Sequence, residues 1–181
     1  FNGTARHVAV VKSGSTMKVY VEGVAGAATG TVSSAVFNGG TNNTYIGATG
    51  ATGVNPSGAI QATLDEVRIT VGTARYTSNF TPTSTQFGRN STDDPDFANV
   101  KLLVGFENVF GSVQAGTVTN VVTASGGVSD EMFNANGIHI LGSGVPRVAY
   151  DAGFDFGSGD FTIELFGRSE ERRVGKECRT V

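Results

Sequence analysis

The chain has no tryptophan, a single cysteine, four prolines and two histidines in 181 residues. One cysteine excludes a disulfide framework, and it leaves the redox compartment unreadable. Charged residues make up only 16%, and no apolar run approaches the ~20 residues that a helical membrane span needs. A basic stripe is also missing. Residues 168–181 carry five cations against three acids, a net +2, which leaves −5 for the rest of a chain whose total is −3. That body has no electrostatic footprint for nucleic acid. The chain opens on Phe1 rather than Met, so a processed or cut start is expected and no leader can be read.

What is abundant is glycine, 26 residues, together with Thr, Ser, Ala and Val. This is the composition of an all-β protein rich in turns, and not of a disordered chain. The strand signals agree with it. "HVAVVK" (7–12) is followed by the turn "SGS" and by alternation of Met17, Val19 and Val21 with Lys18, Tyr20 and Glu22. That pattern predicts a hairpin with one buried and one wet face, closed by a second turn at "YVEG". "NTYIG" reads as a short strand, and "TGATGVNPSG" as a loop. In "ATLDEVRITVG", Asp65, Val67, Ile69 and Val71 fall on one face, with Leu64, Glu66, Arg68 and Thr70 on the other. The Val/Ile side is expected to face the core, leaving Glu66 and Arg68 as a weak surface pair in solvent.

Residues 83–96, "TSTQFGRNSTDDPD", have no apolar period and read as a connection. Beyond them Val100, Leu102, Val104 and Phe106 alternate with Lys101, Leu103 and Gly105. "NGIHILG", "PRVAY" and "DFTIELF" follow as further strands, the last with Phe161, Ile163 and Leu165 alternating with Thr162 and Glu164.

Two groups of segments resemble one family. "HVAVVKSGSTMKVYVEG", "TYIG" and "LDEVRITVGTARYTSNFTP" resemble the second half of a laminin-G-like jelly-roll module of the concanavalin A-like lectin/glucanase superfamily. The endings resemble copies in phage-tail, virion-associated and surface proteins. "NVKLLVGFEN", "NGIHILGSG" and above all "FDFGSGDFTIELF" resemble the first half of that module. The resemblance implies an antiparallel jelly-roll β-sandwich. It divides the chain into a C-terminal half module (1–87), a linker (88–98) and the N-terminal half of the next module (99–167), as in a window on a tandem array. Half a sandwich exposes its inner face. The two halves could instead close one sandwich in permuted order, in which case a compact monomer that unfolds cooperatively is expected. Departures from the family pattern are Leu141 and Glu22 where acidic Asp is usual, Glu107 in "GFEN", and Phe166 in place of Trp.

The superfamily includes glucanases, but the strand spacing E-x-D-x-x-E, which sets two acids on one face about 5 Å apart, does not occur here. The chain is therefore expected not to be an enzyme. Calcium is a second implication of the resemblance. Asp151, Asp155 and Asp160 in "YDAGFDFGSGD" offer hard oxygen ligands on a Gly-rich turn, against the plainer reading that they cap turns through their own backbone. His7 and His139 lie in strand patterns without an acid or cysteine at ligand spacing and read as structural. For glycan recognition the candidates are Tyr45, Tyr76 and Tyr150 as aromatic platforms, with Asn42, Asn43 and Asn55 as polar partners. The expected role is a non-catalytic binding or adhesion module on a virion or cell surface, touching a glycan or another surface ligand and its neighbouring modules. A spacer without ligand and an accessory module of a carbohydrate-active enzyme are the alternatives.

The C-terminal "RSEERRVGKEC" (168–178) resembles no protein family. It matches the translation of a common short-read sequencing adapter. Residues 168–181, with Cys178 among them, are therefore expected to be a non-native tail.

Overall fold

The computed structural model describes residues 4–32, 44–48, 60–106, 138–141 and 147–169. Within them the protein is all-β, a curled antiparallel sheet. The strands are β1 (Arg6–Ser13), β2 (Thr16–Val21), β3 (Val24–Thr31), β4 (Thr44–Tyr45), β5 (Gln61–Val71), β6 (Val100–Val104), β7 (Ile138–Leu141), β8 (Arg147–Val148) and β9 (Phe161–Ser169). Six of them lie side by side in the order β3-β2-β1-β9-β5-β6, while β4 and β8 form a separate ribbon. One edge of the long β5 is taken by β9, and the other by β7 at Gln61–Leu64 and then β6 at Val67–Thr70.

The expected hairpin and the turn that follows it are present, and that turn leads into β3, a strand the sequence pattern does not announce. Ser13 pairs with Thr16 across the Gly14–Ser15 turn. Val21 pairs with Val24 across Glu22–Gly23. Both residues of the second turn have positive φ, 51° and 74°, as the primed two-residue turns that match strand twist require.

Strand β9 lies between β1 and β5. It pairs with β1 from Arg6↔Gly167 to Lys12↔Phe161 and with β5 from Ala62↔Ser169 to Val71↔Phe161. Segments from before and after residues 88–98 therefore share one sheet, with a strand of the later segment inserted between two strands of the earlier one. The strand runs on through Arg168 and Ser169, the first two residues of the adapter-like stretch.

Both faces of this sheet are covered at its centre, so β5 is buried from Ala62 to Thr70. One face is aliphatic. Leu64, Val67 and Ile69 pack there with Leu102, Val104, Ile46, Val148 and Phe154. The other carries His7, Ala9, Val11, Tyr20, Arg68, Thr162, Glu164 and Phe166, and the strap 73–97 lies over it. Here the structure departs from the alternation read in the sequence. A β-bulge between Asp65 and Arg68 sets Glu66 and Val67 opposite one residue of β9, with Glu66 at φ 49°. The extra residue reverses the parity of the strand, which moves Leu64 onto the Val67/Ile69 face.

In the β1–β2 hairpin the buried face is that of Tyr20, not that of Val19 and Val21. Tyr20 has no exposed surface, whereas Val19 is 44% and Val21 43% exposed. The connection read at 83–96 and the linker at 88–98 are packed against the sheet. Asp94 is buried and Phe97 joins Phe87, Val100, Leu103 and Phe166 in a second apolar cluster.

Candidate functional site

A buried ionic cluster forms beneath the strap. Glu164, at the centre of β9, has no exposed surface. Its Oε1 accepts from Arg68 Nε at 2.8 Å, and its Oε2 from the Tyr76 hydroxyl at 2.8 Å. His7 Nε2 lies 3.1 Å from the same Oε2, which makes it the protonated ring nitrogen. The other nitrogen, Nδ1, is buried without a partner among the described residues. Around that imidazole stand the rings of Tyr76, Phe80, Phe87 and Phe166, all edge-on. Arg68 reaches onward from Nη1 to Asp94 Oδ2 at 3.0 Å, and its guanidinium lies over the Phe87 ring. Arg75 clamps Asp94 with two parallel bonds of 2.9 and 2.8 Å and donates Nε to Thr70 Oγ1 at 2.6 Å. Two guanidinium groups thus face two carboxylates beside the His7 imidazole. Burial of charge is tolerated because each ion is paired and hydrogen-bonded.

Glu66 and Arg68 are accordingly not a surface pair. Glu66 is wholly buried, since the bulge turns it under the strap. Its Oε2 accepts from the Phe87 amide at 2.9 Å and its Oε1 from Arg89 Nη2 at 2.7 Å. Gly105 leaves room for this pair, because a Cβ there would meet Arg89 Nη2 and Glu66 Oε1.

Electrostatics follow from the geometry. Burial pushes the Glu164 carboxyl up, but the His7 bond, the Arg68 charge and the Tyr76 bond more than offset it and hold it below the ordinary value. Asp94 behaves alike: burial raises it, and the bonds and charge of Arg75 with the charge of Arg68 bring it below normal. Burial, then the charge and bond of Glu164, push the Tyr76 phenol well up. The sign is therefore fixed on both sides. Depressed carboxyls contribute stability that is present above their unfolded values, about 4.3 for Glu and 3.9 for Asp, and is lost as pH falls through the lowered folded values. The raised phenol contributes stability below its unfolded value of about 10 that is lost as pH rises further. Urea midpoints measured against pH are expected to be flat near neutrality and to drop below about pH 4. In Asp94→Asn that acid-side slope is expected to be shallower. An acid-side slope unchanged in Asp94→Asn would contradict the assignment for Asp94.

Above the cluster opens a polar cleft of about 860 Å³. Arg68, Arg75 and Arg89 lie in its floor and wall, and the exposed Thr81, Thr83, Ser84 and Thr85 form its lip. On the opposite, aliphatic face an apolar groove of about 550 Å³ is lined by Met17, Tyr45, Phe156, Ile163 and Leu165 among others.

The candidates read from sequence are distributed among these places. Tyr76 lines the polar cleft, but its ring is stacked on Phe80, with centroids 3.5 Å apart. Tyr45 lies at the apolar groove. Tyr150 is partly exposed and donates to Asp155 Oδ2 at 3.1 Å, a bond that pushes its phenol up. Asn42, Asn43 and Asn55 lie outside the described residues, as does Cys178.

The three aspartates are each engaged locally. Asp151 Oδ1 accepts from Gly153 N at 2.7 Å, and Asp160 Oδ1 from Gly14 N at 2.7 Å. Asp155 takes the Tyr150 hydroxyl, while its Oδ1 is buried without a partner among the described residues. Among the described residues no three His, Cys, Asp or Glu side chains gather to hold one metal ion.

Sequence reasoning did not find Arg75, Arg89, Asp94 or the strap as a site. A usable signal was there in β9. Thr162, Glu164 and Phe166 share one face of a strand whose other face is apolar, so an acid in that position needs a buried cation if both faces are covered.

Comparison of the chain with known protein families, with curated proteins and with solved structures gave no match.

Proposed function

We propose that this chain is a non-catalytic recognition module of the laminin-G-like, concanavalin A-like kind, a jelly-roll sandwich closed in permuted order from two half modules. In this reading it stands in a tandem array of a virion-tail or cell-surface protein and recognises a glycan or another surface ligand through the polar cleft. The kinship is supported by where the quoted motifs meet. His7 of "HVAV", Arg68 of "DEVRIT", Arg75, Tyr76 and Phe80 of "ARYTSNF" and Glu164 of "DFTIE" all converge on one buried cluster.

The cleft carries the functional reading. It is concave and polar, it is supported by a rigid sheet, and its lip is made of loop hydroxyls, where binding groups commonly sit. Hydrolysis finds no support in the cluster. A general acid needs a raised pKa and a proton to give, whereas Glu164 is held ionised by His7, Arg68 and Tyr76.

One observation favours a second reading, a spacer without ligand: the ions of the cluster are satisfied by one another, so the fold uses them whether or not anything binds. A glycan array probed with the full chain separates the two. Retention on a subset of glycans is expected, and a flat array would leave the spacer.

A further inference from the structure

We infer that the cleft admits uncharged, polyhydroxylated glycans and rejects acidic ones, an inference that rests on the recognition reading above and names the ligand class of the same site. Three arginines in one cleft would ordinarily suggest an anion site, because the guanidinium fork matches carboxylates and sulfates. Here the forks of Arg68 and Arg75 are already occupied. Arg75 spends Nε on Thr70 and both terminal nitrogens on Asp94. Arg68 spends Nε and Nη2 on Glu164 and Nη1 on Asp94. Arg89 donates Nη2 to Glu66.

Three guanidinium groups therefore face three buried carboxylates, Glu66, Asp94 and Glu164, and their charges cancel. Asp93 lies at the rim, bonded to Asn90 at 2.6 Å, and Asp96 stands 3.9 Å from Arg75. The formal charge of these groups, three arginines against five carboxylates, is thus negative. An incoming carboxylate or sulfate meets like charge at the mouth, and at the buried Arg68 and Arg75 it competes with carboxylates that are already paired there.

A hydroxyl-bearing ligand faces neither obstacle. The lip offers Thr81, Thr83, Ser84 and Thr85, all exposed. Thr83 and Thr85 are bonded to each other at 3.0 Å, and the Thr85 amide donates to Thr83 Oγ1 at 3.1 Å. That turn holds the hydroxyls in place before anything binds, and each hydroxyl can both donate and accept. These are neutral bonds, so the affinity they give is nearly independent of salt.

The experiment uses the full chain and a panel of neutral hexose oligosaccharides beside uronate-containing, sialylated and sulfated ones, at low and at physiological salt. Binding is expected for neutral members only, with little change between the two salts. The triple substitution Thr83→Val, Ser84→Ala, Thr85→Val should weaken it about tenfold or more with the melting temperature unchanged. Preference for acidic glycans, weakening with salt, would overturn the inference and leave the recognition reading standing. Neutral binding that survives the triple substitution would place the ligand elsewhere and overturn it as well. No binding to any member would remove the recognition reading and this inference with it.

Discussion

Replacing Glu164 with alanine is expected to destabilise the fold by about 3–5 kcal/mol, the range for removing one partner of a buried ion pair. The reason is what remains. Arg68, 6% exposed, keeps only Asp94 at Nη1, and its Nε and Nη2 lose their acceptor. The Tyr76 hydroxyl and His7 Nε2 lose theirs too, with the rings around His7 closing out water. Much of a small domain's stability, typically 5–15 kcal/mol, rests on this residue, so Glu164→Ala should unfold at much lower urea or not accumulate folded at all. Glu164→Gln keeps two acceptor sites on one oxygen but drops the charge opposite Arg68, and it should fall between the wild type and alanine.

The paired change Glu164→Leu with Arg68→Met tests the mechanism. Exchanging both ions for apolar groups of similar size is often neutral, and Asp94 retains Arg75. The double variant should therefore recover the part of the loss that comes from the unpaired guanidinium, while the Tyr76 hydroxyl and His7 Nε2 still lack their acceptor. A cost for Glu164→Ala below about 1 kcal/mol, the range of exposed pairs, would mean that the cluster is not buried in solution.

The β1–β2 hairpin, the turn residues and the antiparallel all-β class were legible in the sequence because each depends on local chemistry. Ser-Gly-Ser and Glu-Gly mark two-residue turns, and alternation marks strands. The side of each strand that faces inward was less legible. Val19 and Val21 looked like the core side, and Lys18, Tyr20 and Glu22 the wet one. The structure buries Tyr20 instead, because the strap residues Tyr76 and Phe80 cover that face.

The same cause governs β5 and β9. Glu66 and Arg68 read as the wetter side of β5, and Thr162 and Glu164 are the polar residues that alternate with apolar ones in β9, yet all four are buried. A covering segment with complementary charge turns a polar face into an interior, and residues 73–97 carry no strand or helix period that announces such a cover. The bulge at Glu66 compounds this, since one inserted residue inverts the facing of everything beyond it. The site was illegible for the same reason. Arg68, Arg75, Asp94 and Glu164 are 96 residues apart at the extremes and meet only once β9 enters between β1 and β5.

Gly23→Ala is the second large effect expected, about 3 kcal/mol or more, and it tests the strap from its other end. Two penalties combine. Gly23 sits at φ 74°, where an L side chain costs roughly 1–2 kcal/mol. Its Cβ would also run into the carbonyl oxygen of Phe80, a backbone atom held in place by the bond from Phe80 N to Gly23 O at 3.0 Å. No rotamer relieves that contact. Either the hairpin turn or the strap has to move, and overpacking of this kind costs about 1–3 kcal/mol more.

Moving the strap pulls Phe80 away from His7 and Tyr20 and loosens Tyr76 from Glu164, so the damage should reach the ionic cluster. Gly14→Ala is the control. It shares positive φ, 56°, but an added Cβ meets nothing within 4 Å, so it should cost only the conformational part, about 1–2 kcal/mol. Hydrogen exchange reads the difference. In Gly23→Ala the amides of Phe80 and Phe87 should lose protection together, while in Gly14→Ala they should keep it. Equal costs for the two alanines would show that the strap does not rest on the Gly23 turn.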